Sequence, residues 1–293
     1  MAGAGLRDTR RRIKSVEATK KITRAMELIA AARIPKAQAR VVASKPYAQK
    51  LIEVIQNVGG ASGGVSHPLL EVRDVRTVGV VVVASDRGLA GAYASNVIRL
   101  AERAMIDHRK AGREVTLYVV GKKAQTYFRY RGYTIGRAFL GVTDTPGYGD
   151  ARAISNLVMD EYVSGEVDQL DTFYTRFDSA MTQTPSAYQL LPLSRPEGGE
   201  GGQAHGVAYS YEPSPEEILA RILPRYVEAT IFSILLEASA SEHSARRRAM
   251  KAATDNAEEL IRILAVQANR ARQAEITTAI TEIVGGAEAL ANG

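Results

Sequence analysis

SPEEILARILPRYVEATIFSILLEASASEHSARRRAMKAATDNAEELIRILAVQANRARQAEITTAITEIVGGAEAL, residues 214–290, is the stretch on which the fold turns. It reads as one very long helix with a defined start. Ser214 stands at the N-cap, Pro215 at the first helical position and Glu217 three residues after the cap, the pattern of a capping box. Its apolar positions recur at Leu219, Leu223, Tyr226 and Thr230, and pass through Ala238, Ser241, Ala245, Ala249 and Ala252. They then reach Asn256, Leu260 and Ile263. The middle of this seam is almost all small, which lets a second helix approach closely. Pro224 predicts a local bend, and Gly285-Gly286 predicts a C-terminal break that leaves a short apolar tip at 287–291.

A second long helical run covers residues 5–58, at the opposite end of the chain. Leu6, Ile13, Val16, Ile34, Ala37, Val41, Ala48, Leu51, Ile55 and Val58 follow a three-four spacing, a coiled-coil seam. Between 20 and 29 the pattern reads as a register slip: Lys20, Thr23 and Glu27 occupy the seam while Ile22, Met26 and Ile29 form a neighbouring apolar face. A helix of that length extends roughly 75 Å. Pro35 inside it removes a backbone hydrogen bond and bends it locally, or else ends one helix and begins another. Two long helices separated by a compact middle lie side by side only if the chain leaves on one and returns on the other, so the pair is expected to be antiparallel.

The middle changes period. After GGASGG at 59–64, VGVVVVAS at 78–85 is a continuous β-branched strand, followed by a turn and an amphipathic helix. A second strand at 114–121, a short helix at 122–130, a weaker strand at 133–140, a helix at 150–164, a strand at 169–177 and an extended stretch at 188–193 follow. Strands alternating with helices predict a mostly parallel, doubly wound sheet. The expected fold class is α/β: a long antiparallel coiled coil of the N- and C-terminal helices plus a small doubly wound α/β domain. The expected boundaries are 1–58, 59–210 with a glycine-rich loop at 195–206, and 211–293.

Composition narrows the chemistry. At 293 residues and 45% hydrophobic, the chain can bury a sizeable core, so it is not disordered. No residue is Cys, which excludes disulfides, thiolate metal sites and cysteine nucleophiles. The basic cluster at the N-terminus is not followed by an apolar segment, so no secretory signal is expected, and no apolar run reaches the ~18 residues of a membrane span. A net charge of +6 fits an acidic protein, a membrane surface or nucleic acid equally well. The basic clusters at Arg7 to Arg40 and at Arg246, Arg247, Arg248 and Lys251 read first as solvated helix faces. Next comes an acidic protein sleeve; nucleic acid comes last, because Arg7 to Arg40 contains no aromatic group on which a base would stack.

DRGLAG at 86–91 follows a strand and opens a helix, where phosphate-binding loops occur in α/β sheets. Two glycines do not make a dinucleotide fingerprint, and GKKAQT at 121–126 lacks the pattern of a Walker loop. Asp86, Arg87, Gly88 and Gly91 therefore read as a tight structural turn. His67, His108, His205 and His243 show no metal-ligand spacing and read as solvated. No catalytic, cofactor or metal residue is expected.

Several quoted stretches carry a resemblance: RRRIKSVEATKKITRAMELIAAARIPKAQ, VVVASDRGLAGAY, YSYEPSP, AMKAATDNAEELI and ANRARQAEITTAITEIVGGAEAL. Together they resemble the gamma subunits of bacterial F-type ATP synthases over essentially the full length. The resemblance implies a central rotor shaft. The terminal helices would coil inside a hexamer of alternating alpha and beta subunits. The α/β domain, beside an epsilon subunit, would rest on the membrane ring of c subunits. Proton flow would turn the shaft and drive the catalytic subunits through their conformations. It implies a non-catalytic subunit, no cofactor, no nucleic-acid partner, and a peripheral position on the cytoplasmic face of the bacterial membrane, held there only through partners.

By the same resemblance, Met26 matches a methionine that faces the acidic loop of a beta subunit, against the plain reading of a gap-filling core side chain. Arg272, Gln273 and Thr277 match polar residues that contact the catalytic subunits, against the plain reading of a solvated helix face. Tyr211 and Glu212 match the foot that meets the c ring, against a simple turn before the helix. The chain departs from the family at Ala90, where most relatives carry Cys, and at Pro35, where many carry a good helix former. Two rival readings are a coiled-coil scaffold, which would be recovered without stoichiometric alpha and beta subunits, and a nucleotide-binding α/β enzyme, which would bind nucleotide saturably on its own.

Overall fold

The computed structural model describes residues 2–61, 67–193 and 214–291. The chain divides into two compact units, Met1–Ala30 with Arg247–Gly293, and Ala31–Arg246. Helices α1 (Ala2–Ala61) and α5 (Pro215–Ala291) contribute to both.

The larger unit is built on a sheet of β1 (Thr77–Val83), β2 (Glu114–Val120), β3 (Arg137–Phe139), β4 (Gln169–Phe177) and β5 (Gln183–Leu191), with α2 (Tyr93–Lys110), α3 (Lys122–Tyr130) and α4 (Tyr148–Ser164) between them. The strand order is β3-β2-β1-β4-β5. β1 to β4 are mutually parallel and β5 returns antiparallel along β4. β1 explains why its sequence is apolar without alternation. Val78, Val80, Val82 and Ala84 enter one core, with Val97, Ala101 and Met105 of α2 and Phe128 of α3. Val81 and Val83 enter another, with Ile154 and Val158 of α4, Ile55 and Val58 of α1, and Leu223, Val227 and Ile231 of α5. Both faces of the strand are covered, so both sets of side chains are apolar. Gly79 is the exception because there is no room: a Cβ there would lie 2.5 Å from Leu170 Cδ1.

Some boundaries differ from the sequence expectation. β5 begins at Gln183, ahead of the extended stretch expected from 188, because Pro185 reads as a strand breaker yet is tolerated on a sheet edge. β3 shrinks to three residues. α1 runs to Ala61, through the first glycines of the expected break, and passes without interruption through Pro35 and Pro46. Pro35 therefore does not separate two helices. At the start of α5, Glu217 N donates to Ser214 Oγ at 3.2 Å, the cap half of the expected box.

The smaller unit pairs the first turns of α1 with the C-terminal part of α5. Thr23 meets Thr254 across the pair, with their Oγ1 atoms 2.9 Å apart, and Lys20 Nζ lies 2.5 Å from Glu258 Oε1. Moving back along one helix moves forward along the other, so the two are antiparallel. One sequence expectation holds here in part and a second fails. First, Thr23 and Glu27 occupy the seam of α1 as expected, at 8% exposure each, and Ile22 and Ile29 lie on an exposed neighbouring face with Leu28. The three-four spacing runs straight through this polar stretch, so the placement stands without a slip of register. Second, the seam of α5 is displaced by one or two positions from the one expected. Met250, Thr254, Ala257, Leu264 and Ala268 are buried, whereas Leu260 and Ile263 are exposed. The small and polar character expected of the seam is found, but its two large expected members, Leu260 and Ile263, face outward, and Met250 and Leu264 stand in the seam instead. Gly285 and Gly286 also lie within α5, which continues to Ala291 instead of breaking.

Candidate functional site

The DRGLAG turn is held from below by its own carboxylate. Asp86 Oδ1 accepts from Lys122 N at 3.0 Å, and Oδ2 accepts from Thr143 N at 3.1 Å and Thr143 Oγ1 at 3.0 Å. Ser85 O accepts from Lys123 N at 2.9 Å. Burial opposes the Asp86 charge, but the backbone N–H groups of Gly141, Thr143 and Lys122 outweigh it and hold the carboxyl below its ordinary value of 3.8. The first amide of α3, where a phosphate would otherwise dock, is thus already engaged by Asp86. Leu89 (φ 63°) and Gly91 (φ 60°) take left-handed conformations that sharpen the turn. Leu89 and Arg87 are exposed, and Ala90 is buried.

Next to this turn is a polar cluster that sequence reasoning missed. Asp144, in the loop between β3 and α4, accepts from Arg33 Nη1 of α1 at 2.6 Å on each carboxylate oxygen. Arg87 Nη2 approaches the same carboxylate at 4.0 Å. Ser239 Oγ donates to Asp144 O at 3.0 Å, and His243 Nε2 lies 3.3 Å from that carbonyl. Farther along α5, Arg246 pairs with Glu242 and donates to Gly88 O at 3.3 Å. His243 and Arg246 are buried. Burial pushes the His243 imidazole below its ordinary value, against the opposing pull of Asp144. Burial likewise raises the Glu242 carboxyl, against the pull of Arg246.

The reading of the histidines as solvated is therefore corrected at three of the four positions. His243 is buried, His108 pairs with Asp171 at 3.2 Å, and His67 Nδ1 accepts from Leu69 N at 3.1 Å. His205 lies outside the described residues. Arg246, expected on a solvated basic face, is instead a buried member of the cluster, while Arg247 and Lys251 are exposed as expected. A helical spacing of Ser239, Glu242, His243 and Arg246 was visible as a polar stripe, but nothing in it marked the stripe as inward-facing.

The residues assigned by resemblance fall in different places. Met26 is half-buried, one position from the buried Glu27. Arg272, Gln273 and Thr277 are exposed on α5, together with Ile276 and Ile280. Thr277 Oγ1 donates back to Gln273 O at 3.0 Å, and Arg272 has no ion-pair partner among the described residues. The structure groups Arg272, Gln273 and Thr277 on adjoining turns. It does not bring Met26 to them: Arg272 lies 18 positions beyond Thr254, roughly 27 Å along the helix axis. Tyr211 and Glu212, and the glycine-rich loop at 195–206, lie outside the described residues.

The sequence model of a family described as ATP synthase matches residues 5–290. The chain belongs to the ATP synthase gamma-chain family. A protein named ATP synthase gamma chain from Acidothermus cellulolyticus is 50% identical, with 98% of each chain covered, and one from Parafrankia sp. is 48% identical over the whole of both. A third of that name, from Pelotomaculum thermopropionicum, is 46% identical over 97% of this chain and 99% of its own. Among solved structures, a chain of the Euglena gracilis mitochondrial ATP synthase, in a structure of OSCP, F1 and c-ring, shares the fold with a TM-score of 0.70. It is 16% identical, with 98% of this chain and 95% of that chain covered. A chain of the central stalk and c-ring structure from Tetrahymena thermophila gives 0.61 at 21% identity, over 79% of this chain and 99% of that one. The fold is thus shared at identities where few side chains are.

Proposed function

We propose that this chain is the central rotor shaft of an F-type ATP synthase, a non-catalytic subunit that couples proton flow through a membrane ring to ATP synthesis or hydrolysis in an alpha/beta hexamer. Besides family membership, one observation carries the reading. Leu260, Ile263, Val266, Ile276, Ile280 and Ile283 are all exposed on α5, with Ile283 reaching 72%. An apolar surface of this extent on a helix pair calls for a surrounding protein. Closed around it, the hexamer supplies that cover, and a small, partly polar seam inside leaves the large apolar groups free to face outward.

Within this reading, Met26, Arg272, Gln273 and Thr277 contact the catalytic beta subunits, and Tyr211 and Glu212 meet the c ring beside an epsilon subunit. Asp86, Arg87, Gly88 and Gly91 form a structural turn. The functional segments are the N-terminal helix at 1–58, the α/β domain at 59–210 and the C-terminal helix at 211–293. No helix among the described residues is long and apolar enough to cross a membrane. Attachment to the cytoplasmic face of the bacterial membrane then runs through partners.

Reconstitution with alpha and beta subunits tests this directly. Stoichiometric recovery of the hexamer is expected; recovery of the chain alone would favour a scaffold, and saturable nucleotide binding by the isolated chain an enzyme. In the assembled complex, Met26→Lys is expected to leave assembly intact and lower the ratio of protons pumped to ATP hydrolysed, because a new cation beside an acidic loop adds an attraction that each rotation must break. An unchanged ratio would remove Met26 from the contact.

A further inference from the structure

The loop between β3 and α4 touches α1, α5 and the turn after β1 within a few residues. Asp144 is its centre. Its carboxylate holds Arg33 of α1 at 2.6 Å, and its carbonyl accepts from Ser239 of α5 at 3.0 Å, with His243 Nε2 3.3 Å away. One residue before it, Thr143 bonds Asp86 of the turn; two after it, Pro146 O accepts from Arg40 of α1. Arg246 of α5 closes the ring on Gly88 O of the same turn. His243 is 3% exposed, and its Nδ1 has no hydrogen-bond partner among the described residues, as fits a neutral ring donating from Nε2.

We infer that Asp144 is a positioning residue of the rotor: it fastens α1 and α5 to the α/β unit, so that this unit turns with the two helices without angular slack. The inference rests on the rotor reading above. Its physical basis is the difference between polar and apolar joints. The apolar core in which α4 meets Ile55, Val58 and Leu223 is non-directional, and small sliding displacements cost it little. Charge-assisted hydrogen bonds are directional and lose energy over a few tenths of an ångström. Arg33 and Asp144 are partly exposed, at 40% and 24%, so the clamp adds stiffness more than stability.

The chain contains no Cys, so Tyr130→Cys on α3, at 89% exposure, provides a single attachment point for a bead on the α/β unit. With the intact complex fixed by its hexamer, the angular variance of the stalled bead measures the slack. Asp144→Ala removes the carboxylate that holds Arg33 and leaves the carbonyl bonded by Ser239 in place, so it frees the α1 arm of the clamp; it is expected to raise that variance roughly twofold, with Asp144→Asn intermediate. Asp144→Asn also carries the comparison if the alanine variant fails to assemble. Asp178→Ala, which breaks a surface pair with Arg176 elsewhere in the same unit, is expected to match the parent. Combining Arg33→Asp with Asp144→Arg restores opposite charges and is expected to bring the variance back toward the parent. A variance unchanged in both Asp144 variants, or raised equally by Asp178→Ala, overturns the inference. A parent complex whose bead never turns with ATP sinks the rotor reading itself, and does so before any variant is compared.

Discussion

The two units bury their contacts in opposite ways. In the α/β unit the sheet presents valines to apolar layers on both sides, and its deepest residues, among them Tyr118, Phe128, Leu170 and Leu223, are large. In the helix pair the buried positions among the described residues are Leu6, Thr23, Glu27, Ala30, Met250, Thr254, Ala257, Leu264 and Ala268, and most of the large apolar side chains lie outside. The first unit gains its stability from its own interior. The second conceals little apolar area and reserves its hydrophobic surface for something else. A globular domain that must stand alone needs the first arrangement, and a helix pair that works inside a sleeve can tolerate the second.

Substitutions in the sheet should therefore have the largest effects. Gly121 adopts φ 99°, and a Cβ there would lie 2.9 Å from the backbone carbon of Ser85. Gly121→Ala combines a strained backbone with a clash against main chain, and a loss on the order of 3 kcal/mol is expected in denaturant unfolding of the chain. A loss below about 1 kcal/mol would show that the β1 and β2 ends are not rigidly packed.

Asp86 should come second, with a pH signature. Its carboxyl is depressed in the folded chain, so its contribution is complete above the unfolded value of 3.8 and disappears as pH falls through the lower folded value. Asp86→Asn leaves an amide NH2 facing a backbone N–H on one side. The expected cost is about 1–2 kcal/mol at neutral pH. That difference should shrink below pH 4, and a difference that persists into acid would assign the cost to packing.

The helix pair should respond more weakly, and in the other direction. Gly285→Ala and Gly286→Ala meet no atom within 4 Å of the new Cβ, so each should stabilise α5 by roughly 0.5–1 kcal/mol, read as increased helicity by circular dichroism. A fall in helicity would restore the break that the glycine pair suggested. The smallest change is expected for Thr23→Val with Thr254→Val, which replaces both partners of one buried bond with apolar groups of the same shape. Stability should stay within about 0.5 kcal/mol or rise slightly, and a loss above 2 kcal/mol would make that bond essential to the pair.

Much of the fold was legible. The β-branched run of β1, the Ser214 cap and the three-four spacing of α1 each report a local or periodic constraint, and each was realised. What misled was size. Leu260 and Ile263 look like seam residues because they are large and apolar, yet they are exposed, whereas Thr23 and Glu27, expected in the seam despite their polarity, are buried there. Which side of a helix faces its partner is decided by the partner, and here the partner accepts small and polar groups. The Asp144 cluster was invisible for a related reason: Arg33, Asp144, Ser239 and His243 come from three separate stretches, and none belongs to a motif.

By itself, the sequence determined the elements, their order, the mostly parallel sheet, the antiparallel return of the long helices and membership of the gamma-chain family. These follow from periodicity, capping and turn chemistry, which act over a few residues, and from a match that runs the length of the chain. Only the tertiary structure decided which face of α5 is inward, that His243 and Arg246 are buried, and that one aspartate binds α1 and α5 to the sheet. Burial and long-range hydrogen bonds depend on what a distant segment brings to the same point in space, and no local pattern records that.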